Sequence, residues 1–234
     1  MQVVVLAGGL GQRLRPVTDK IPKCMTPVGG QPFLWYLLRL LKSRGAGEAI
    51  LCTGYLGEQV EEYFGDGREI GLRLRYSREM GPLLDTGGAL KLAEPLLNKR
   101  FLVVNGDTYL DIDYKAVFEN FNKSSVQAMI VAAYCQGETG SLCDLAVNVN
   151  GTVTRYDKIN RLGLDYVNAG VMALKREILS TKMPERATSL ETDILPTLID
   201  RQQVKAYIID NKFYDIGSFA GLGIFERMIE KLNT

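Results

Sequence analysis

Gly8, Gly9 and Gly11 follow an apolar run at Val3 to Leu6, and Arg13 and Lys23 lie just beyond them. A strand that opens into such a loop can hold phosphate. With no Cβ in the way, backbone N–H groups come close to anionic oxygens. Arg13 adds a planar fork of donors and Lys23 a compact point charge. The dinucleotide fingerprint G-x-G-x-x-G fails, because Gly9-Leu10-Gly11-Gln12-Arg13-Leu14 ends in leucine. No Gly-Lys-Ser/Thr follows, so a P-loop is absent too. The loop reads as a triphosphate cradle of a third kind.

Two aspartates stand where such a cradle needs a metal. Asp107 follows the apolar run Phe101 to Asn105 and Gly106, and Asp215 follows Phe213-Tyr214 and precedes Ile216-Gly217. Ligand sites in open α/β sheets lie beyond the carboxyl ends of strands. Mg2+ takes one or two protein carboxylates and completes its shell from phosphate and water. One aspartate alone would more often shape a turn or cap a helix, but the pair is expected to hold Mg2+. Candidates for a second phosphate and a sugar are Asp157 and Lys158 at a strand end, Asn168 beside the bare backbone of Gly170, and Glu191 with Thr192 at a helix start. Glu191 and Thr192 can equally cap that helix.

The 234 residues contain no histidine. That removes Ser-His-Asp and Cys-His catalysis, histidine general bases and the usual zinc sites. A net charge of +1 leaves no basic field for nucleic acid. Cys24, Cys52, Cys135 and Cys143 lack C-x-x-C spacing and read as free thiols of a reduced compartment. The chain enters a strand without a charged leader, and no apolar run reaches membrane-spanning length. A cytoplasmic protein without membrane contact is expected.

The elements that must position these residues alternate. Strands are expected at Val3 to Leu6, Ala49 to Thr53, Leu72 to Tyr76 and Phe101 to Asn105, with helices at Pro32 to Arg44, Leu56 to Phe64, Gly88 to Leu97 and Tyr114 to Asn122. Alternation of this kind implies a largely parallel α/β sheet. Further on, Ala128 to Ala133, Leu145 to Val149, Val153 to Asp157 and Tyr166 to Leu174 read as strands with few helices between them, before helices at Thr192 to Asp200 and Ser218 to Leu232. This is a mixed-sheet lobe on a parallel core.

Leu6-Ala7-Gly8-Gly9-Leu10-Gly11-Gln12-Arg13-Leu14, Pro22-Lys23 and Pro27-Val28, then Thr86-Gly87-Gly88-Ala89, Gly106-Asp107 and Tyr214-Asp215-Ile216-Gly217, resemble the motifs of the sugar-1-phosphate nucleotidyltransferases. The resemblance implies a Rossmann-like, mixed and mainly parallel sheet with helices on both faces and a small sugar-binding β lobe. It implies one domain over 1–234, with a nucleotide-binding half over about 1–125 and a sugar-binding half over about 126–234. The implied reaction is attack by a sugar 1-phosphate oxygen on the α-phosphorus of a nucleoside triphosphate, with pyrophosphate leaving. Arg13, Lys23 and Asp107 would be catalytic, and Asp107 and Asp215 would hold Mg2+. Leu6, Ala7, Gly8, Gly9, Gly11, Asp85, Thr86, Gly87 and Gly88 would bind the nucleotide. Asn105, Asp157, Lys158, Asn168, Gly170, Glu191 and Thr192 would bind the sugar phosphate.

Within that family, Gln31-Pro32-Phe33-Leu34 and Tyr36 are most similar to heptose 1-phosphate guanylyltransferases. Two positions depart from the pattern. Cys24 stands where proline is usual. Asp85 stands where glycine is usual, as in the N-acetylmuramic acid 1-phosphate uridylyltransferases, and its carboxylate could accept the N1–H and N2–H of guanine. The preferred substrates are GTP and D-glycero-α-D-manno-heptose 1-phosphate. The alternative is a uridylyl- or thymidylyltransferase acting on N-acetylmuramic acid, glucose or mannose 1-phosphate. A non-catalytic nucleotide-sugar sensor is the rival from another class, and a nicotinamide oxidoreductase is disfavoured by the broken fingerprint. The oligomeric state is open, with a homodimer the state considered.

Overall fold

The computed structural model describes residues 1–135, 143–179 and 187–232. Among the described residues nine strands make the main sheet: β1 (Gln2–Ala7), β2 (Glu48–Thr53), β3 (Arg73–Arg78), β4 (Arg100–Asn105), β5 (Ala128–Tyr134), β6 (Leu145–Val147), β7 (Val153–Tyr156), β8 (Tyr166–Lys175) and β9 (Val204–Ile209). The order β3-β2-β1-β4 is parallel throughout, with Val3 beside Ala49 on one side and Leu102 on the other. β8 then joins β4 antiparallel, β5 joins β8 antiparallel, and β9 runs parallel to β5. β6 and β7 form an antiparallel extension at the β8 edge.

Helices cover both faces, and the strands show why their apolar runs are continuous. Val3 and Val5 pack into a core with α1 (Phe33–Ser43), α2 (Gly57–Phe64), α4 (Tyr114–Lys123) and α6 (Phe219–Leu232). Val4, between them, packs into a second core with α3 (Asp85–Ala93) and α5 (Leu195–Asp200). A strand buried on both faces has no solvent side to carry polar residues. α1 buries Phe33, Leu34, Leu37, Leu38, Leu40 and Leu41 on one stripe. It stops at Gly45, whose φ is +88°. The Ala46 N–H bonds the Leu41 carbonyl and the Gly45 N–H that of Lys42, the double closure of a Schellman cap.

Several expectations are corrected. α3 runs Asp85–Ala93, so it begins three residues before the expected Gly88 and ends short of the expected Leu97. The late helix opens as a single π-helical turn, Leu190–Ile194, ahead of α5. β9 and two short ribbons were not anticipated. One ribbon pairs Thr108–Leu110 with Phe213–Asp215, the other Pro27–Val28 with Gln31–Pro32. The four cysteines are not all free: Cys135 and Cys143 form a disulfide, with Cα atoms 5.7 Å apart. Tyr134 and Leu145 both pair with Tyr166 of β8, so the sheet brings their neighbouring cysteines together. Cys24 and Cys52 are buried and free.

Candidate active site

A cleft of about 570 Å³ opens beyond the carboxyl ends of β1 and β4. From β1 come Leu6, Ala7, Gly8, Gly9 and Gly11, all on its wall. A Cβ on Gly9 would meet nothing within 4 Å, so the backbone is open at that position. Three short 3-10 turns carry the chain on, at Gln12–Leu14, Val17–Asp19 and Lys23–Met25. Leu14 is buried beneath them. The Thr18 hydroxyl donates to the Gly11 carbonyl at 2.9 Å and the Thr26 hydroxyl to the Lys23 carbonyl at 2.8 Å. These contacts hold Lys23 on the cleft wall.

β4 delivers Asn105, Gly106 and Asp107 to the same wall. The Gly106 N–H bonds the Leu6 carbonyl at 2.8 Å, and the Ile216 N–H bonds the Asp107 carbonyl at 3.0 Å. The ribbon pairing Thr108 with Asp215 thereby brings the second aspartate alongside. Lys23 is ion-paired with Asp107. A Cβ placed on Gly217 would fall 2.5 Å from Arg13 Nη2, 2.7 Å from Asp215 Oδ1 and 2.9 Å from Lys23 Nζ. Arg13 and Asp215 do not line the cleft themselves, but they meet Lys23 at its edge. Four charged groups far apart in sequence therefore form one cluster beside the bare glycine loop. The guanidinium and the ammonium can hold phosphate oxygens, and the two carboxylates offer the hard oxygen donors that Mg2+ takes.

At the other end of the loop sits Glu79, which sequence reasoning missed. It follows β3, its N–H bonds the Thr53 carbonyl at 2.9 Å, and its Oε2 accepts from the Leu84 N–H at 2.5 Å. Oε1 lies 2.9 Å from where a Cβ on Gly8 would be. The side chain is buried on the cleft wall, and desolvation pushes its pKa up, with Asp85 adding to the rise. The rule that found Asp107, a carboxylate just past a strand, would have found Glu79. Asp85 also lines the cleft. Its φ is +61° and its Oδ1 accepts from the Thr86 N–H at 2.6 Å. Glycine takes that left-handed backbone with the least strain. Cys24 and Cys52 line the cleft as buried thiols, each pushed up to about 12 by desolvation, so they are inert walls.

Lys158, Thr86 and Glu191 close the far side. Lys158 Nζ lies 5.6 Å from the centre of the Tyr156 ring. The Glu191 carboxylate accepts from the Thr86 hydroxyl at 2.6 Å. Asp144, also unanticipated, is buried behind Lys158 and Arg161. Desolvation pushes its pKa up to about 6 against the lowering pull of the Asn168 N–H and those two cations. A lone carboxylate ahead of an apolar strand carries no sequence signal.

Besides Arg13 and Asp215, six expected contacts stand off the cleft wall. The Gly87 and Gly88 N–H groups bond the Thr188 carbonyl at 2.8 and 3.0 Å, so they are not available to a nucleotide. Asp157 accepts from the Ile159 and Asn160 N–H groups and from Arg155, and these bonds hold its pKa down. It shapes the turn that presents Lys158. The Asn168 amide donates to the Tyr156 hydroxyl and accepts from the Gly170 N–H. Gly170 sits at a register shift between β8 and β5. Thr192 is exposed and its N–H bonds Ser189, the actual cap of the π-helical turn.

Known proteins resemble this chain in sequence and fold. The sequence pattern described as "Nucleotidyl transferase" matches residues 2–230. A D-glycero-alpha-D-manno-heptose 1-phosphate guanylyltransferase of Aneurinibacillus thermoaerophilus is 31% identical over 218 residues, 93% of each chain. An N-acetylmuramate alpha-1-phosphate uridylyltransferase of Neisseria meningitidis is 43% identical over 121 residues, 51% of this chain and 52% of that one. The crystal structure of HddC from Yersinia pseudotuberculosis complexed with GMP-PN superposes with a TM-score of 0.82 at 27% identity, covering 97% of this chain and 99% of that one.

Proposed function

The chain belongs to the nucleotidyl transferase family, and from that premise we propose that it transfers GMP from GTP to D-glycero-α-D-manno-heptose 1-phosphate and releases pyrophosphate. The observation that carries the reaction is the convergence of Arg13, Lys23 and Asp215 around Gly217, with Lys23 paired to Asp107 beside the glycine loop. A phosphate monoester is already a nucleophile. What remains for the protein is positioning and charge stabilisation, which suits a chain without histidine. Arg13 holds the departing pyrophosphate. Lys23 stabilises charge as it develops at the α-phosphate. Lys158 orients the incoming phosphate, and Glu191 accepts sugar hydroxyls.

Asp107 and Asp215 would hold Mg2+, which supplies Lewis-acid charge neutralisation to the triphosphate when bound. Their oxygens are hard donors, and one or two carboxylates are what that ion takes from protein. For the base, Glu79 and Asp85 present two carboxylates on one wall of the cleft. Guanine offers two adjacent donors, N1–H and N2–H, to such acceptors. The guanylyl preference also draws on the similarity to the heptose 1-phosphate guanylyltransferase of A. thermoaerophilus and to HddC complexed with GMP-PN. A second reading, uridylyl transfer to N-acetylmuramate 1-phosphate, is favoured by the 43% identity over 121 residues with the N. meningitidis protein.

The test is pyrophosphate release with Mg2+ from each common nucleoside triphosphate against a panel of sugar 1-phosphates. Turnover specific to GTP with the heptose or mannose 1-phosphate supports the preferred reading. Turnover with UTP and N-acetylmuramate 1-phosphate selects the second. Triphosphate binding without turnover on any sugar favours a sensor.

A further inference from the structure

We propose that Thr86 is a positioning residue for the sugar phosphate and not a nucleotide ligand: it fixes the Glu191 carboxylate across the cleft. The proposal rests on the transferase reading above. The Thr86 hydroxyl accepts from the Leu190 N–H at 2.8 Å and donates to Glu191 Oε2 at 2.6 Å. A hydroxyl has a single proton, so this one is committed to Glu191 and is not free for a base or phosphate. The Ser189 hydroxyl reaches the same oxygen at 3.1 Å. With two donors on Oε2, Oε1 is the oxygen left for a ligand.

Two further observations make this a device for orientation. Glu191 lies in the π-helical turn Leu190–Ile194. A widened turn is an uncommon backbone state, associated with functional sites, that needs outside support. Thr86 gives that support at both the backbone and the side chain of the turn. The segments are also stitched beside it. The Thr188 N–H bonds the Leu84 carbonyl at 2.8 Å, and the Gly87 and Gly88 N–H groups bond the Thr188 carbonyl. The segment carrying Asp85 and the segment carrying Glu191 are therefore tied together, although 105 residues separate Thr86 from Glu191. Loss of the Thr86 hydroxyl leaves Glu191 Oε2 with the longer Ser189 contact alone and does not touch Glu79, Lys23 or the glycine loop.

Thr86→Val keeps the side-chain shape and removes the hydroxyl. Using the substrate pair that the wild type turns over, it should raise KM for the sugar 1-phosphate roughly 10-fold or more, the scale of a lost hydrogen bond to a charged group. KM for the triphosphate and its calorimetric Kd should stay within about 3-fold of wild type. Thr86→Ser should restore sugar-phosphate KM. In a Glu191→Ala background, Thr86→Val should cost nothing further, because the pair acts as one unit. If Thr86→Val does not fold, Thr86→Ala and Thr86→Ser make the same comparison. An equal rise in both KM values, failure of serine to rescue, or an additive double variant overturns the proposal. A wild type silent with every pair overturns the transferase reading first, which is distinct from an active wild type insensitive at Thr86.

Discussion

Lys23 and Asp107 stand 84 residues apart in sequence and are paired ammonium to carboxylate at the edge of the cleft. Both keep limited contact with solvent, their side chains being 15% and 30% exposed. Arg13 and Asp215 converge on the same lysine around Gly217, so the cluster holds two cations and two carboxylates and carries no net charge. A neutral cluster does not balance a triphosphate of about four negative charges. A divalent cation held by the two carboxylates would offset about half of that charge and leave Arg13 and Lys23 to the phosphate oxygens.

Asp107→Asn should leave the fold intact and remove most activity. The expected fall in kcat is about 100- to 1000-fold, the scale of losing one preorganised electrostatic group, with saturation requiring more Mg2+. Thermal unfolding should shift by only a few degrees. Turnover near wild type with the same Mg2+ titration would dismiss the metal assignment.

Lys23→Ala separates two roles for the lysine. If it strengthens its contact as charge develops, kcat falls more than KM rises. An effect confined to the KM of the triphosphate would make it a ground-state ligand instead.

Glu79→Gln replaces one acceptor oxygen of a buried carboxylate with a donor. If Glu79 reads guanine, kcat/KM for GTP should drop about 10- to 100-fold, because a donor would then face a donor. The selectivity of GTP over UTP should narrow. An unchanged ratio between the two would move base selection to Asp85 or to the backbone.

Asp144 makes stability depend on pH in an unusual direction. Burial raises its pKa from 3.8 to about 6, so the folded state binds the proton more tightly than the unfolded state. The protein gains from this group below about pH 4 and loses the gain as pH rises through 6. Asp144→Asn, which can still accept from the Asn168 N–H, should therefore stabilise the fold at pH 7.5 by up to about 3 kcal/mol, since each tenfold change in proton affinity is worth roughly 1.4 kcal/mol. The advantage should vanish near pH 4. Urea melts at the two values measure it, and a variant less stable at both would show that the lost pull on Lys158 and Arg161 outweighs the desolvation.

The parallel core and its glycine loop were legible because local patterns determine them. Val3 to Leu6 is apolar on both faces, and Gly45 closes a helix whose stripe is plain. Lys23, Asp107 and Asp215 were legible as residue types at strand and turn ends. What stayed hidden depends on distant partners. Nothing near Gly87 and Gly88 announces that their N–H groups belong to Thr188. Asp157 looks like a ligand until the Ile159 and Asn160 N–H groups are seen folding back on it. Cys135 and Cys143 meet only because β5 and β6 both flank β8.

Gly170 is the position where a ligand role and a backbone role separate most cleanly. Its φ is +77°, and a Cβ there would fall 2.8 Å from Thr108 Oγ1 and 3.0 Å from Thr108 Cβ. Thr108 is buried and follows Asp107 directly. Gly170→Ala therefore meets both left-handed strain, about 1–2 kcal/mol, and a clash with a side chain that has little room to yield. A total loss of about 2–3 kcal/mol should lower Tm by roughly 4–12 °C in a chain of this size. Displacing Thr108 disturbs Asp107, so kcat should fall while KM for the sugar phosphate stays near wild type. Thr108→Ala in the same chain should recover part of the lost stability, a non-additive pair that marks direct contact. An unchanged Tm with a raised sugar-phosphate KM would return Gly170 to the ligand.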